Sequence, residues 1–337
     1  MAYSDYSVDF AGGTSQEHVL LGDVLDIEGN TDAFTWVFWA KPDQNTTPTY
    51  FIVKMGATPA FQGYGLAFDS SGRLNLYLIN DWATNDALQV QSTLAAAIVG
   101  QWAFYAVTSD GSGTAAGVTL YRNGYALPTT TVFDGLTGTT VTSESLAFGM
   151  RVSDTDHEFD GHLDDILYYT AELTPSEVLA LAVDGIPVDP TGLGTWTNNN
   201  GFWRMGDGDT FPTLTDSGNG TSHDGTMTNM VAGDIEADAP ALLTLGGYVL
   251  DPLSLSQSHF LAPLVGGSSW TLGGGGAAVV QKYKMRAQDR DAGLPGYVTW
   301  VATGTPDFLG TGYGGGTPTP VGPMIPGSAI VEDEWEE

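Results

Sequence analysis

From residue 3 to about residue 170, apolar side chains recur at every second position in short runs broken by turn residues, the period of half-buried strands. Phe34-Thr35-Trp36-Val37-Phe38-Trp39-Ala40-Lys41-Pro42 places Phe34, Trp36, Phe38 and Ala40 on one face. Its other face is aromatic too, which predicts a central strand covered on both sides. Strands are predicted at 50–55, 64–68 and 73–79, with Leu74, Leu76 and Leu78 sharing a face in the last. Asp69-Ser70-Ser71-Gly72 reads as the hairpin loop between the latter two. Further strands are predicted at 102–110 and 117–124, where Asn123-Gly124 is the strongest local turn signal, and at 145–150 and 157–169. Almost no helical period interrupts them, so the class is all-β, an antiparallel β-sandwich of jelly-roll type.

One helix is legible. Thr174-Pro175-Ser176-Glu177 is a capping box with proline at the first helical position, followed by the apolar stripe Val178, Leu179, Leu181 and Ala182. Asp184-Gly185 predicts its end, and Pro187 and Pro190 open a linker. This divides the chain into a jelly roll over 1–190, a segment over 191–240 and a Gly/Pro-rich extension over 241–337. The middle segment carries too little apolar surface to fold alone and is expected to lean on the sandwich. In the extension, 266–276 is glycine-rich, 296–303 predicts a strand, and 332–337 is acidic. Lys282, Lys284, Arg286 and Arg290 gather four of the ten basic residues. Such a region is either a linker or an arm ordered by a partner.

Charge narrows the function. Forty acidic residues against ten basic ones leave a net charge of −30. DNA, RNA and anionic membranes repel such a surface, so nucleic-acid binding is excluded as the main role. The absence of cysteine excludes disulfides, thiolate metal sites and thiol nucleophiles. No apolar run approaches the roughly 20 residues that span a bilayer, so no membrane insertion is expected. The start, Met1 to Gly13, shows neither a basic region nor an apolar stretch of the secretory kind, and synthesis in the cytoplasm is expected.

Several stretches in a fixed order resemble the laminin-G-like, concanavalin A-like jelly-roll family. They are Val8-Asp9-Phe10-Ala11-Gly12; the strand Phe34–Pro42; Gln101–Thr108 followed by Leu120-Tyr121-Arg122-Asn123-Gly124; and Phe159–Tyr169 followed by Leu173–Val178. The resemblance covers about residues 3–185. It implies a final strand lying beside the first. Within that final strand Phe159, Gly161 and Leu163 hold one phase, and Ile166 and Tyr168 the opposite one. Such a switch needs an extra residue and predicts a bulge at Asp164–Asp165. Phe202–Asp209, Asp216–Gly220 and His223–Thr226 resemble the stretch that precedes the first core strand in such domains. Here it follows the domain, so a permuted strand folded back beside the N-terminus is expected.

The resemblance also implies chemistry. Glucan hydrolases of this fold use Glu-x-Asp-x-Glu, with the two carboxyls about 5 Å apart. The nearest match, Glu158-Phe159-Asp160-Gly161-His162, ends in histidine, so the acid partner is missing and a non-enzyme is expected. Calcium is the cofactor that suits Asp9, Asp160 and Asp164, because the family places the first and closing strands together. Asp216–Gly220 is a second oxygen-rich turn, and solvated turn carboxylates are the competing reading for both. For carbohydrate, an exposed aromatic with planar polar neighbours is sought. Asp81, Trp82 and Asn85 in one loop, and Asp154 and Asp156 in another, have that composition. Trp82 reads equally as an anchor on the sheet rim. The five histidines show no ligand spacing and are expected at surfaces or turns.

The family usually works outside cells, and domains with the 203–230 pattern resemble accessory proteins of tailed bacteriophages. The expected role is therefore a virion structural protein: a capsid decoration, head fibre or tail appendage. Its arm would dock on other virion proteins or on copies of itself, and its jelly roll would reach a cell-surface glycan. The alternative is a calcium-dependent glycan-binding domain of a bacterial surface protein, extracellular rather than in a virion, with a glycosidase third.

Overall fold

The computed structural model describes residues 4–240, apart from Thr14 and residues 154–156 and 183–186, and farther on the strand backbones between 244 and 320. Two antiparallel sheets face each other. The first holds β1 (Ser7–Phe10), β3 (Phe34–Pro42), β8 (Ala103–Ser109), β9 (Val118–Arg122), β10 (Tyr125–Ala126), β13 (Gly161–Tyr169), β14 (Asn199–Trp203) and β17 (Ile235–Glu236). The second holds β2 (His18–Gly22), β4 (Thr49–Met55), β5 (Gly63–Phe68), β6 (Leu74–Asp81), β7 (Asp86–Ser92), β11 (Thr129–Asp134), β12 (Leu146–Phe148), β15 (Thr213–Leu214) and β16 (Gly225–Thr228).

The order in the first sheet is β10-β9-β8-β3-β13-β1-β17, with β14 also on β13; in the second it is β11-β7-β6-β5-β4-β12-β2-β16-β15. Alternation builds the core. Phe34, Trp36, Phe38 and Ala40 turn inward between the sheets, and the Phe38 ring lies 4.5 Å from that of Phe51 and 5.4 Å from that of Tyr105. Val37 and Trp39 turn outward into a second apolar layer under α1 (Pro175–Leu181), which buries Val178 and Leu181 there. The capping box forms as expected, Thr174 Oγ1 accepting from Glu177 N and Glu177 Oε2 accepting from Thr174 N. The Asp184-Gly185 stop signal lies outside the described residues. A wholly buried Lys54 ammonium binds Asp23 Oδ1 at 2.7 Å and Asp26 Oδ1 at 2.6 Å, fastening the loop after β2 to β4.

The closing strand carries the expected bulge. Asp164 lies opposite Trp39 and Leu167 opposite Val37, so Asp165 and Ile166 share the one position facing Phe38. Asp165 takes a φ of 43°, a region an aspartate enters more readily than most residues. Before the bulge Leu163 faces the core; after it Ile166 and Tyr168 do, and Leu167 and Tyr169 join the layer beneath α1.

The 195–240 segment is built into both sheets. β1 and β14 divide one flank of β13 between them, β1 pairing with Gly161–Leu163 and β14 with Ile166–Tyr169. β16 adds to β2, and β17 adds to β1. Trp203 is fully buried, stacked 6.3 Å from Trp36, with its Nε1 donating to His223 O at 2.9 Å. Trp203→Ala should lower the unfolding free energy by about 3–5 kcal/mol in one cooperative denaturant transition. A separate early transition for this segment would contradict its integration.

Contacts divide the chain into Met1–Val249 and Leu250–Glu337. The hairpin β18 (Thr244–Leu245) and β19 (Tyr248–Val249) ends the first unit. In the second, β20 (Val280–Gln288) pairs along its full length with β21 (Pro295–Thr303), which also pairs with β24 (Thr319–Pro320). The strand expected at 296–303 is present, and the segment read as a basic cluster is its partner. β22 (Thr305–Asp307) and β23 (Gly312–Gly314) form a hairpin. The glycine-rich stretch at 266–276 and the acidic end at 332–337 lie outside the described residues.

Burial of the bulge has an electrostatic cost. Asp164 Oδ1 accepts from Asp165 N at 2.7 Å, while Asp164 Oδ2 and Asp165 Oδ1 have no hydrogen-bond partner. Burial pushes the Asp165 carboxyl up to about 8 against the pull of Arg204, with Asp207 and Asp189 raising it further. A carboxyl raised in the folded state favours folding fully below its unfolded value near 3.8, and that contribution is lost as pH climbs through about 8. Asp165→Asn keeps the shape and the φ but carries no proton to lose. Its melting midpoint should therefore gain on that of the wild type by roughly 2 °C or more between pH 5 and 9. A constant offset across that range would show that Asp165 stays ionised.

Candidate functional site

The outward face of β4–β7 carries a row of rings outside the layer between the sheets, in a smaller apolar cluster with Val53, Met55 and Ile79. Tyr50 of β4 lies 5.9 Å from Tyr77 of β6, Tyr77 lies 6.2 Å from Trp82, and Trp82 meets Phe133 of β11 edge-on at 4.9 Å. His157 continues the row past Tyr50 at 5.8 Å. The alternation that sends Leu74, Leu76 and Leu78 inward is what turns Tyr77 and Ile79 outward. Tyr50 needs a glycine beneath it, because a Cβ on Gly65 would sit 2.8 Å from its ring. The Arg151 guanidinium lies over two rings, 5.4 Å from the centre of Tyr50 and 4.8 Å from that of Phe61. Neutral amides border the rings: Gln89 Nε2 donates to Asn75 Oδ1 at 2.9 Å. Tyr77, Trp82, Phe133 and His157 are half-buried, so ring surface remains open. Burial raises the Tyr77 hydroxyl well above its ordinary value and keeps it a neutral donor. Beyond His157 lies a shallow recess of about 300 Å³, lined by Gly13, Thr47, Pro48, His157 and Glu158.

Of the residues expected to contact carbohydrate, Trp82 joins this row. Asp81 and Asn85 shape the turn that presents it. Asp81 Oδ1 accepts from Ala83 N at 2.9 Å, and Asn85, at φ 60°, donates its N–H to Trp82 O at 3.2 Å. Asp154 and Asp156 lie outside the described residues. Tyr50, Tyr77, Phe133 and Arg151 were not picked out in the sequence. Their signal is an aromatic on the polar phase of an alternating strand.

The three carboxylates expected to hold calcium do not meet. Asp160 packs against Gly12 and accepts from Gly12 N at 3.4 Å. Asp164 is sealed at the bulge, raised well above the usual carboxylate range by burial and by Asp165. Asp9 stands instead across from His162, raised by burial against the pull of that ring. Among the described residues the metal-compatible group is Asp9, His162 and Glu236. His162 is therefore no ordinary surface histidine: it is buried in the sheet, five per cent exposed. The second expected oxygen-rich turn is spent on the fold. Asp216 Oδ1 accepts from Phe202 N and Gly218 N, both at 2.8 Å, and Oδ2 from His223 N at 2.9 Å, which leaves little lone-pair capacity for an ion.

Comparison with known proteins agrees with this architecture. Residues 12–179 match the model of the concanavalin A-like lectin/glucanases superfamily. Among solved structures, the chain is similar to the native heptameric SAP-like pentraxin from Limulus polyphemus, at 16% identity and TM-score 0.39, over 54% of this chain and 83% of that one. It is also similar to the CBM40 of a Ruminococcus gnavus sialidase bound to α2,3-sialyllactose, at 16% identity and TM-score 0.41, over 52% and 96% of the two chains. No curated protein sequence matches it. The strand order, the motifs in sequence and the matched family model converge, and the chain carries a laminin-G-like jelly-roll domain of the concanavalin A-like lectin/glucanases superfamily.

Proposed function

We propose that this chain is a non-enzymatic attachment protein whose jelly roll holds a glycan across the outer face of the second sheet. The observation that carries the reading is the row Tyr50–Tyr77–Trp82–Phe133. The half-buried rings of Tyr77, Trp82 and Phe133 offer a sugar an apolar surface, and the buried Tyr50 backs them. Gln89, Asn75 and the ring-held Arg151 guanidinium are buried beside the rings and brace them; none of them exchanges a proton readily at neutral pH. With a net charge of −30 the protein repels polyanions, so the ligand class is a neutral cell-surface glycan. The finer setting follows the resemblance of residues 203–230 to accessory proteins of tailed phages. The jelly roll is displayed on a virion, and the region after residue 240 docks it to the particle or to a sister subunit.

Two measurements check this. On a panel of neutral and acidic glycans the full chain should retain neutral ones, and Trp82→Ala and Tyr77→Ala should each weaken binding about tenfold or more, the loss of one anchoring ring. Retention by both variants at wild-type strength would remove the row from the site. Stoichiometric recovery of the chain from purified particles supports the virion setting. Recovery only from bacterial surfaces would replace that setting and leave the glycan reading standing.

A further inference from the structure

The outer face of the first sheet holds a second cluster, remote in sequence and unused by the aromatic row. Asp9 and His162 are register partners on β1 and β13, and Glu236 on β17 lies beside Ser7 of β1. Ser7 and Asp9 alternate with the core residues Val8 and Phe10, so both point outward; His162 does the same beside Leu163. One ligand atom from each of Asp9, His162 and Glu236 lies within 4.8 Å of the others.

The hydrogen bonds around His162 set its tautomer. The Ser7 hydroxyl donates its single proton to the Asp238 carbonyl. It can therefore only accept at its 3.3 Å contact with His162 Nδ1, so Nδ1 carries the ring proton. In the neutral ring Nε2 is then a lone pair. It faces Asp9 Oδ1 at 3.6 Å and Asp238 Oδ2 at 3.9 Å, both beyond a hydrogen bond. The imidazole side chain is only 7% exposed. In that neutral form a buried nitrogen lone pair points at carboxylate oxygens, an arrangement that a metal cation resolves. Asp238 is already engaged, since Lys41 Nζ pairs with its Oδ2 and Trp102 Nε1 donates to its Oδ1 at 3.1 Å. Asp9 and Glu236 remain.

We propose that Asp9, His162 and Glu236 form a binding site for a divalent transition-metal ion of the zinc type, held by His162 Nε2 and by one oxygen from each carboxylate. One imidazole and two carboxylates suit zinc, which takes nitrogen and oxygen ligands at about 2.0–2.2 Å, and small side-chain rotations bring the three atoms to that radius. Calcium, which takes 6–8 oxygens, does not fit a site with a buried imidazole. Ser7 and Asp238 would be the outer partners that fix the ring. The ion would tie β17, a two-residue strand, to β1 and β13.

Titration of the full chain with Zn²⁺, read by calorimetry and by melting midpoint, tests this, with Co²⁺ as a visible-absorption probe. Expected are one saturable equivalent of Zn²⁺, a raised midpoint, and Co²⁺ bands of a site with nitrogen and oxygen donors. His162→Gln and Glu236→Gln should each weaken Zn²⁺ binding by at least about tenfold. Glu236 is exposed, so its variant folds even if the buried histidine variant does not. No saturable Zn²⁺, binding unchanged in Glu236→Gln, or Ca²⁺ displacing Zn²⁺ at equal concentration would each overturn the assignment.

Discussion

A strand inside a sheet must satisfy its backbone on both flanks, while its outer face can change character only by breaking the two-residue period. β13 meets this constraint with one extra residue. Ahead of the bulge its outer face is polar, with His162 and Asp164; beyond it the outer face is apolar, with Leu167 and Tyr169 roofed by α1. The same break divides the flank between β1 and β14, so a strand from each end of the unit can pair with one central partner. Both the polar cluster at His162 and the seating of Trp203 in the core depend on that single insertion.

Much of this was legible because it rests on local signals. The alternation of Phe34–Pro42, the capping box at Thr174 and the Asn123-Gly124 turn each act within a few residues, and the bulge was readable as a phase switch within one strand. What escaped has little local apolar pattern or arises across the chain. β11 is an edge strand, Thr129–Asp134, almost wholly exposed, so no buried face marks it. β7 hides Leu88 and Val90 between glutamines. Of the expected calcium ligands, Asp9 lies on the strand beside the closing strand, whereas Asp160 packs on Gly12 and Asp164 is sealed at the bulge. Whether His162 lies opposite Asp9 is a matter of register, and Glu236 arrives from the far side of the fold. The aromatic row has the same origin: Trp82 stands out in a loop, whereas Tyr50 and Tyr77 become its neighbours only once β4, β5 and β6 are laid side by side.

The two outer faces are organised by different physics. Over the second sheet, Gly65 makes room for Tyr50, and the rings of the row pack tilted against one another, giving a surface with few formal charges. Over the first, alternating strands bring carboxylates, an imidazole and a lysine into contact range, and the charge there is only partly balanced. One domain thus presents an aromatic face and a charged face, with the aromatic core insulating one from the other.

The seating of β17 against β1 joins residues near opposite limits of the first unit, and β16 on β2 does the same in the other sheet. Neither sheet can close on a ribosome until more than two hundred residues have emerged, since its last edges are made from Gly225–Glu236. Until then Trp36, Phe148 and their neighbours wait without the indole that covers them. Such long-range pairing makes for slow folding and prolonged exposure of apolar surface. The heavy negative charge gives the unfinished chain mutual repulsion during that interval, and so acts as a built-in guard against clumping before the molecule is complete.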